Sequence, residues 1–231
     1  MPKMISSEKE IMVSSDKTAR PLSRRNFLTY AGAVTGLSVV LSACDKDDDN
    51  KGVNLGSGDT GILNYAYALE QLEAAFYVKV IASPFTGITA DETARLTEIR
   101  DHEVAHREFF KNALGASAIG ALEVNFSTIN FTSRDSVLAT AKAFEDLGVS
   151  AYNGAGALIT SADYLVLAGK IVSVEARHAA YIRDLISNGS FADNTVLDVN
   201  ALEKSRTPKE VLAIAGAYIV TKINASNLPT S

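Results

Sequence analysis

From Ile62 onward, apolar residues recur every three or four positions: Ile62, Ala66, Leu69, Leu72, Ala75, Phe76 and Val80. That period predicts a helix with one buried stripe. Pro84 and Gly87 stop it. A second helix opens at Thr89-Ala90-Asp91-Glu92, a capping box in which threonine and glutamate satisfy each other's free backbone donors, and runs to about Leu114, where Gly115 closes it. Residues 115–132 have no helical period. Val124, Phe126, Ile129 and Phe131 stand there as isolated apolar residues among Gly, Asn, Ser and Thr, and parts of 122–131 can be extended. A third helix is predicted from near Ser133 to about Leu158. A fourth, from about Asp163 to Ile186, ends at Asn188-Gly189. Thr207-Pro208-Lys209-Glu210 is a second capping box, with proline at the first helical position, and starts a shorter fifth helix.

Loop lengths order these helices. The first–second and third–fourth connections are short, so each pair folds as an antiparallel hairpin. The 115–132 segment is long. At roughly 3.3 Å per residue it can run the length of a 25-residue helix, which rises about 37 Å. The prediction is an all-α four-helix bundle over 61–190, with a long crossover between helices 2 and 3. Residues 191–231 form a C-terminal extension carrying the short helix. Equivalent places in the bundle go to helices 1 and 3, and to helices 2 and 4.

The first 60 residues differ. Residues 1–20 are polar and patternless. Ser23-Arg24-Arg25-Asn26-Phe27-Leu28 then leads an uncharged run to Ala43, and Leu41-Ser42-Ala43-Cys44 is followed by Asp45-Lys46-Asp47-Asp48-Asp49-Asn50. A basic region, a weakly apolar region and small residues before a cut make a secretory signal over 1–43. An uncut membrane helix is the alternative. The Ser-Arg-Arg-Asn-Phe-Leu string resembles the twin-arginine export signal, with Arg24 and Arg25 as its core. Leu-Ser-Ala-Cys resembles the bacterial lipoprotein box, which makes Cys44 the lipidated first mature residue. Residues 44–60 read as a flexible acidic tether. The expected product is exported by the twin-arginine machinery and held at the cell envelope by lipid on Cys44, on the periplasmic face or the outer surface.

Chemistry concentrates in two matched strings, Glu103-x-x-His106 and Glu175-x-x-His178. Positions i and i+3 share a helix face, so each pair aims a carboxylate and an imidazole at one point. The first hairpin carries Glu70, Tyr77, Glu103 and His106; the second carries Glu145, Tyr152, Glu175 and His178. In both, tyrosine follows the first glutamate by seven residues, nearly two turns. The repeat prefers Glu70 over Glu73, because the counterpart of Glu73 is Gly148. Glu73 then becomes a fifth carboxylate near the site. Glu70, Glu103, His106, Glu145, Glu175 and His178 are the expected metal ligands. Four carboxylates bring a charge near −4, which two divalent ions cancel.

The remaining candidates are weaker. His102 reads as a surface histidine, or alternatively as a residue orienting a ligand. Tyr77 and Tyr152 read as core residues whose hydroxyls are tied to a carboxylate. Arg177 and Arg183 are expected to face solvent, and the Ala- and Gly-rich stretch 151–157 to allow close helix approach. Composition adds two exclusions. A formal net charge of −5 argues against a nucleic-acid partner, and a single cysteine forms no internal disulfide.

Residues 62–187 resemble the ferritin-like superfamily. Leu69-Glu70-Gln71-Leu72-Glu73-Ala74-Ala75-Phe76-Tyr77 and Ser173-Val174-Glu175-Ala176-Arg177-His178-Ala179-Ala180-Tyr181 look most like bacterial members related to plant desiccation proteins. The resemblance implies a carboxylate-bridged dimetal site in which Glu103 and Glu175, or Glu70 and Glu145, bridge or cap the metals. It implies two iron ions, or manganese, and redox chemistry on oxygen, peroxide or ferrous iron in stress protection. Two other readings are a non-catalytic envelope stress protein with structural or vestigial metal, and a manganese catalase-like enzyme.

Overall fold

The computed structural model describes residues 52–230. The signal region with Arg24 and Arg25, the lipidation candidate Cys44 and the acidic run after it lie outside the described residues. Helices α1 (Gly58–Ala82), α2 (Ala90–Leu114), α3 (Arg134–Gly156) and α4 (Ala162–Ile186) form the bundle, and α5 (Pro208–Ala215) follows. Both predicted capping boxes are present, at Thr89/Glu92 and Thr207/Glu210. Ser133 and Ser161 cap α3 and α4 by accepting from Ser136 N and Tyr164 N. Gly115 ends α2 with φ +54°, a backbone angle that costs glycine nothing. The long crossover from 115 to 133 joins the hairpins, opening with a 3-10 turn at Gly115–Ser117.

Two differences from expectation lie at the start. Helix α1 begins at Gly58 rather than near Ile62, because its first turn is polar and carries no apolar period. The tether expected over 44–60 does not extend past residue 52. Strand β1 (Val53–Asn54) pairs in parallel with β2 (Ile223–Asn224), and Leu55 is fully buried.

The crossover is irregular yet packed, so its backbone groups need partners. Two polar residues one heptad apart on α1 supply several. Asn64 donates to Leu55 O and Ser117 O and accepts from Ile119 N, at 2.9–3.0 Å. Gln71 accepts from Leu122 N at 2.8 Å and donates to Gly120 O. Ile119, Phe126 and Ile129 turn inward as a lid on the core. Val124 bridges Ile219 in antiparallel fashion, which realises the extended character of 122–131. Phe76 on α1 is the hub of an aromatic cluster that also takes in Phe126, Phe131 and Phe144.

The C-terminal extension is fastened by a residue expected in solvent. Arg183 on α4 is 1% exposed. Its guanidinium donates to Asp146 Oδ2 on α3 (2.7 Å), to Ser190 O just after α4, and to Asp193 Oδ1 and Thr195 Oγ1 of the extension. Three directions of hydrogen bonding compensate a buried charge that apolar packing alone would not tolerate. Arg177, by contrast, is exposed. Gly154 also serves the extension rather than a helix. A Cβ there would lie 1.9 Å from Arg206 O, and Arg206 N donates to Ser150 O at 3.0 Å. No helix among the described residues is long and apolar enough to cross a membrane.

Candidate metal centre

Each rod carries its glutamate near its middle: Glu70 in α1, Glu103 in α2, Glu145 in α3 and Glu175 in α4. Packing four rods of nearly equal length around one axis therefore brings the four carboxylates to one level. All four are fully buried, His178 is 4% exposed, and the His106 side chain is 14% exposed.

The six predicted ligands come together as two groups. Glu70, Glu103, His106 and Glu175 form one, with ligand atoms within 4.8 Å of one another, and Glu103, Glu145, Glu175 and His178 form the other. Glu103 and Glu175 belong to both, while Glu70 and Glu145 belong to one each. Each shared glutamate divides its oxygens. Glu175 Oε1 lies 2.9 Å from His106 Nδ1 and its Oε2 3.8 Å from His178 Nδ1; Glu103 Oε1 lies 2.9 Å from His178 Nδ1 and its Oε2 3.9 Å from His106 Nδ1.

The unshared glutamates behave differently, each giving one oxygen to a tyrosine of the other hairpin. Tyr77 on α1 donates to Glu145 Oε1 at 2.5 Å, and Tyr152 on α3 donates to Glu70 Oε1. Burial, followed by the adjacent carboxylate, pushes both phenols well above their ordinary range, so both remain donors. The crossed pairing is invisible in sequence, where each tyrosine shares a face with its own glutamate.

Glu73 is buried beside the cluster but in neither group. The missing side chain of Gly148 makes its space: a Cβ there would meet Glu73 Oε1 at 3.1 Å. His102, expected at the surface, is exposed but engaged. Its Nδ1 lies 2.9 Å from His178 Nε2, with the rings tilted 8° apart. No local signal marks this contact, because the partners are on opposite hairpins.

Charge in the cluster is unbalanced. Burial raises Glu70, Glu73 and Glu103, and neighbouring carboxylates raise them further against the opposing histidine contacts at Glu70 and Glu103. Glu145 is pushed up to about 7, chiefly by burial. Burial also opposes ionisation of Glu175, but the two histidines close to its oxygens outweigh it and hold it below its ordinary value. Burial would lower the imidazoles; instead facing carboxylates raise His106 to about 10 and His178 to about 12. Two imidazolium charges thus answer part of a charge deficit that cations answer better.

The donor atoms fit metal. Eight buried atoms of these six residues have no aligned hydrogen-bond partner: Glu70 Oε2, both oxygens of Glu103 and of Glu175, Glu145 Oε2, and Nδ1 of His106 and His178. The 2.9 Å approaches between histidine and carboxylate are close without hydrogen-bond alignment. Unsatisfied buried polar atoms cost roughly 1–3 kcal/mol each, more when charged. Eight of them converging on two points is the pattern of ligands, with carboxylate and imidazole suited to first-row transition ions. An apolar cavity lined by Ile62, Ala66, Phe109, Phe110 and Ile171 also has Tyr152, the hydrogen-bond donor to Glu70, in its wall.

Residues 58–188 match the sequence profile of a family described as a ferritin-like domain. The search of curated proteins finds no match to the chain.

Proposed function

The chain belongs to the ferritin-like domain family, and from that premise we propose that it is an exported, lipid-anchored dimetal protein. Its reading is redox chemistry on a small oxidant or on ferrous iron, with two iron ions as the resident metal. One observation carries this reading: eight buried ligand atoms without an aligned hydrogen bond, from four helices, converge in two groups that share Glu103 and Glu175. In the proposal these two, common to both groups, would serve both ions, which favours one of the two arrangements the family resemblance implies. Glu70 with His106, and Glu145 with His178, would complete the two positions. When bound, the ions supply one-electron redox chemistry.

The protein's own part is orientation and exclusion of water. Tyr77 and Tyr152 hold Oε1 of Glu145 and of Glu70, so that Oε2 of each is the oxygen that would be left to hold a metal ion. The apolar cavity whose wall includes Tyr152 supports dioxygen rather than peroxide as the oxidant. Dioxygen enters hydrocarbon without penalty, whereas peroxide gives up hydrogen bonds to water. Export through Arg24 and Arg25 and anchoring at Cys44 are proposals from the signal strings alone. The twin-arginine route carries folded proteins, so metal loads before export.

Metal analysis of the purified protein, followed by Fe(II) oxidation under oxygen and peroxide consumption, tests the reading. We expect about two iron ions per chain and oxygen-dependent turnover. Two manganese ions with peroxide turnover would mean a catalase-like enzyme. Metal without turnover would mean a structural centre, and a protein with no bound metal would refute the proposal.

A further inference from the structure

The two halves of the cluster are near copies, but they are not backed alike. The residue before Glu103 is His102, and the residue before Glu175 is Val174. His102 reaches from α2 to the far nitrogen of His178 on α4. The matching place on α4 holds a side chain with no hydrogen-bonding group, so His106 receives nothing equivalent from it.

The contact has the geometry of a hydrogen bond in the plane of the rings. The rings are nearly parallel, 8° apart, with centroids 5.2 Å apart. The nitrogens are only 2.9 Å apart. They therefore lie between the rings, edge to edge, and the rings do not overlap face on face. His178 Nδ1 points at Glu103, Glu145 and Glu175. If Nδ1 gives its lone pair to a cation, the ring proton sits on Nε2 and is donated to His102 Nδ1. A ligand imidazole whose outer N–H is held this way keeps one tautomer and one orientation, and becomes a better electron donor to the ion.

We propose that His102 is a positioning residue that locks His178, and so makes the two metal positions unequal, with the ion on the Glu145–His178 side bound more tightly and filled first. The inference rests on the dimetal reading and adds to it an order of loading.

Stepwise cobalt(II) titration of the metal-free full-length protein, followed by calorimetry and by visible absorption of bound cobalt, tests it without any turnover. The wild type should show two resolved steps. His102→Ala should weaken the tighter step by about 10- to 100-fold and leave the other in place. His102→Gln, whose amide oxygen can accept the Nε2 proton, should recover much of that loss. Glu145→Gln should remove the same step that His102→Ala weakens, and Glu70→Gln the other. Equal steps in the wild type, or a His102→Ala titration that overlays it, would overturn the proposal while leaving the dimetal reading intact. Two steps falling together in His102→Ala without rescue by His102→Gln would also overturn it. A wild type that takes up no cobalt would refute both.

Discussion

The pair of tyrosines shows most clearly what single residues do here. Each donates its hydroxyl to a glutamate of the opposite hairpin. They hold the two hairpins in register at the level of the site as well as orienting carboxylates. Removing one hydroxyl leaves a buried carboxylate oxygen without its donor, which costs about 1–3 kcal/mol. Tyr77→Phe and Tyr152→Phe should each lower the stability of the metal-free protein by about that amount, read from urea unfolding midpoints. An unchanged midpoint would mean that the hydroxyl is not a structural partner of the glutamate. The tyrosine spacing was legible in sequence, and so was the choice of Glu70 over Glu73. The crossed partnership was not, because it joins residues 68 and 82 positions apart.

At the scale of elements, helix ends carry the local instructions. The capping boxes at Thr89 and Thr207 were legible because they are short-range chemistry. The start of α1 was missed because its first turn is stabilised from elsewhere. Asp59 there accepts from Thr160 N, Thr160 Oγ1 and Ser161 N at 2.8–2.9 Å, clamping the α3–α4 loop to α1. Burial works against the Asp59 carboxylate, but these bonds prevail and hold it below its ordinary value. A carboxyl whose pKa is lower in the folded than in the unfolded chain stabilises above the unfolded value, near 3.9. That contribution disappears as pH falls through the folded value. Wild type should therefore lose more stability than Asp59→Asn between about pH 5 and pH 2, measured by urea unfolding across that range. Parallel acid limbs for the two proteins would rule the clamp out.

In the whole molecule, two similar hairpins enclose a charged centre that neither could satisfy alone. Four buried glutamates, with Glu73 beside them, face only two ligand histidines. Cations should hold the hairpins together, and removing them should loosen the bundle as a unit. A chelator should lower Tm and readdition of metal should restore it, each ion contributing up to about 4 kcal/mol of stability at a thousandfold excess over its Kd. Scanning calorimetry with and without chelator measures this, and superimposable traces would show that the centre does not hold metal. The extension beyond α4 is part of the same body, through Arg183, the Gly154–Arg206 approach and the pairing of β2 with β1.

The linear chain by itself determined what depends on short range and on repetition: four long helices, two capping boxes, the hairpin pairing, the long crossover and six candidate ligands marked by a twofold internal echo. Helical periodicity and the i, i+3 rule work within one or two turns, so local residues suffice. Only the tertiary structure decided which glutamates are shared, which tyrosine meets which carboxylate, that His102 backs His178, and that Arg183 is buried. Those outcomes depend on which rods become neighbours and at what height their side chains meet, and that is set by packing between segments tens of residues apart.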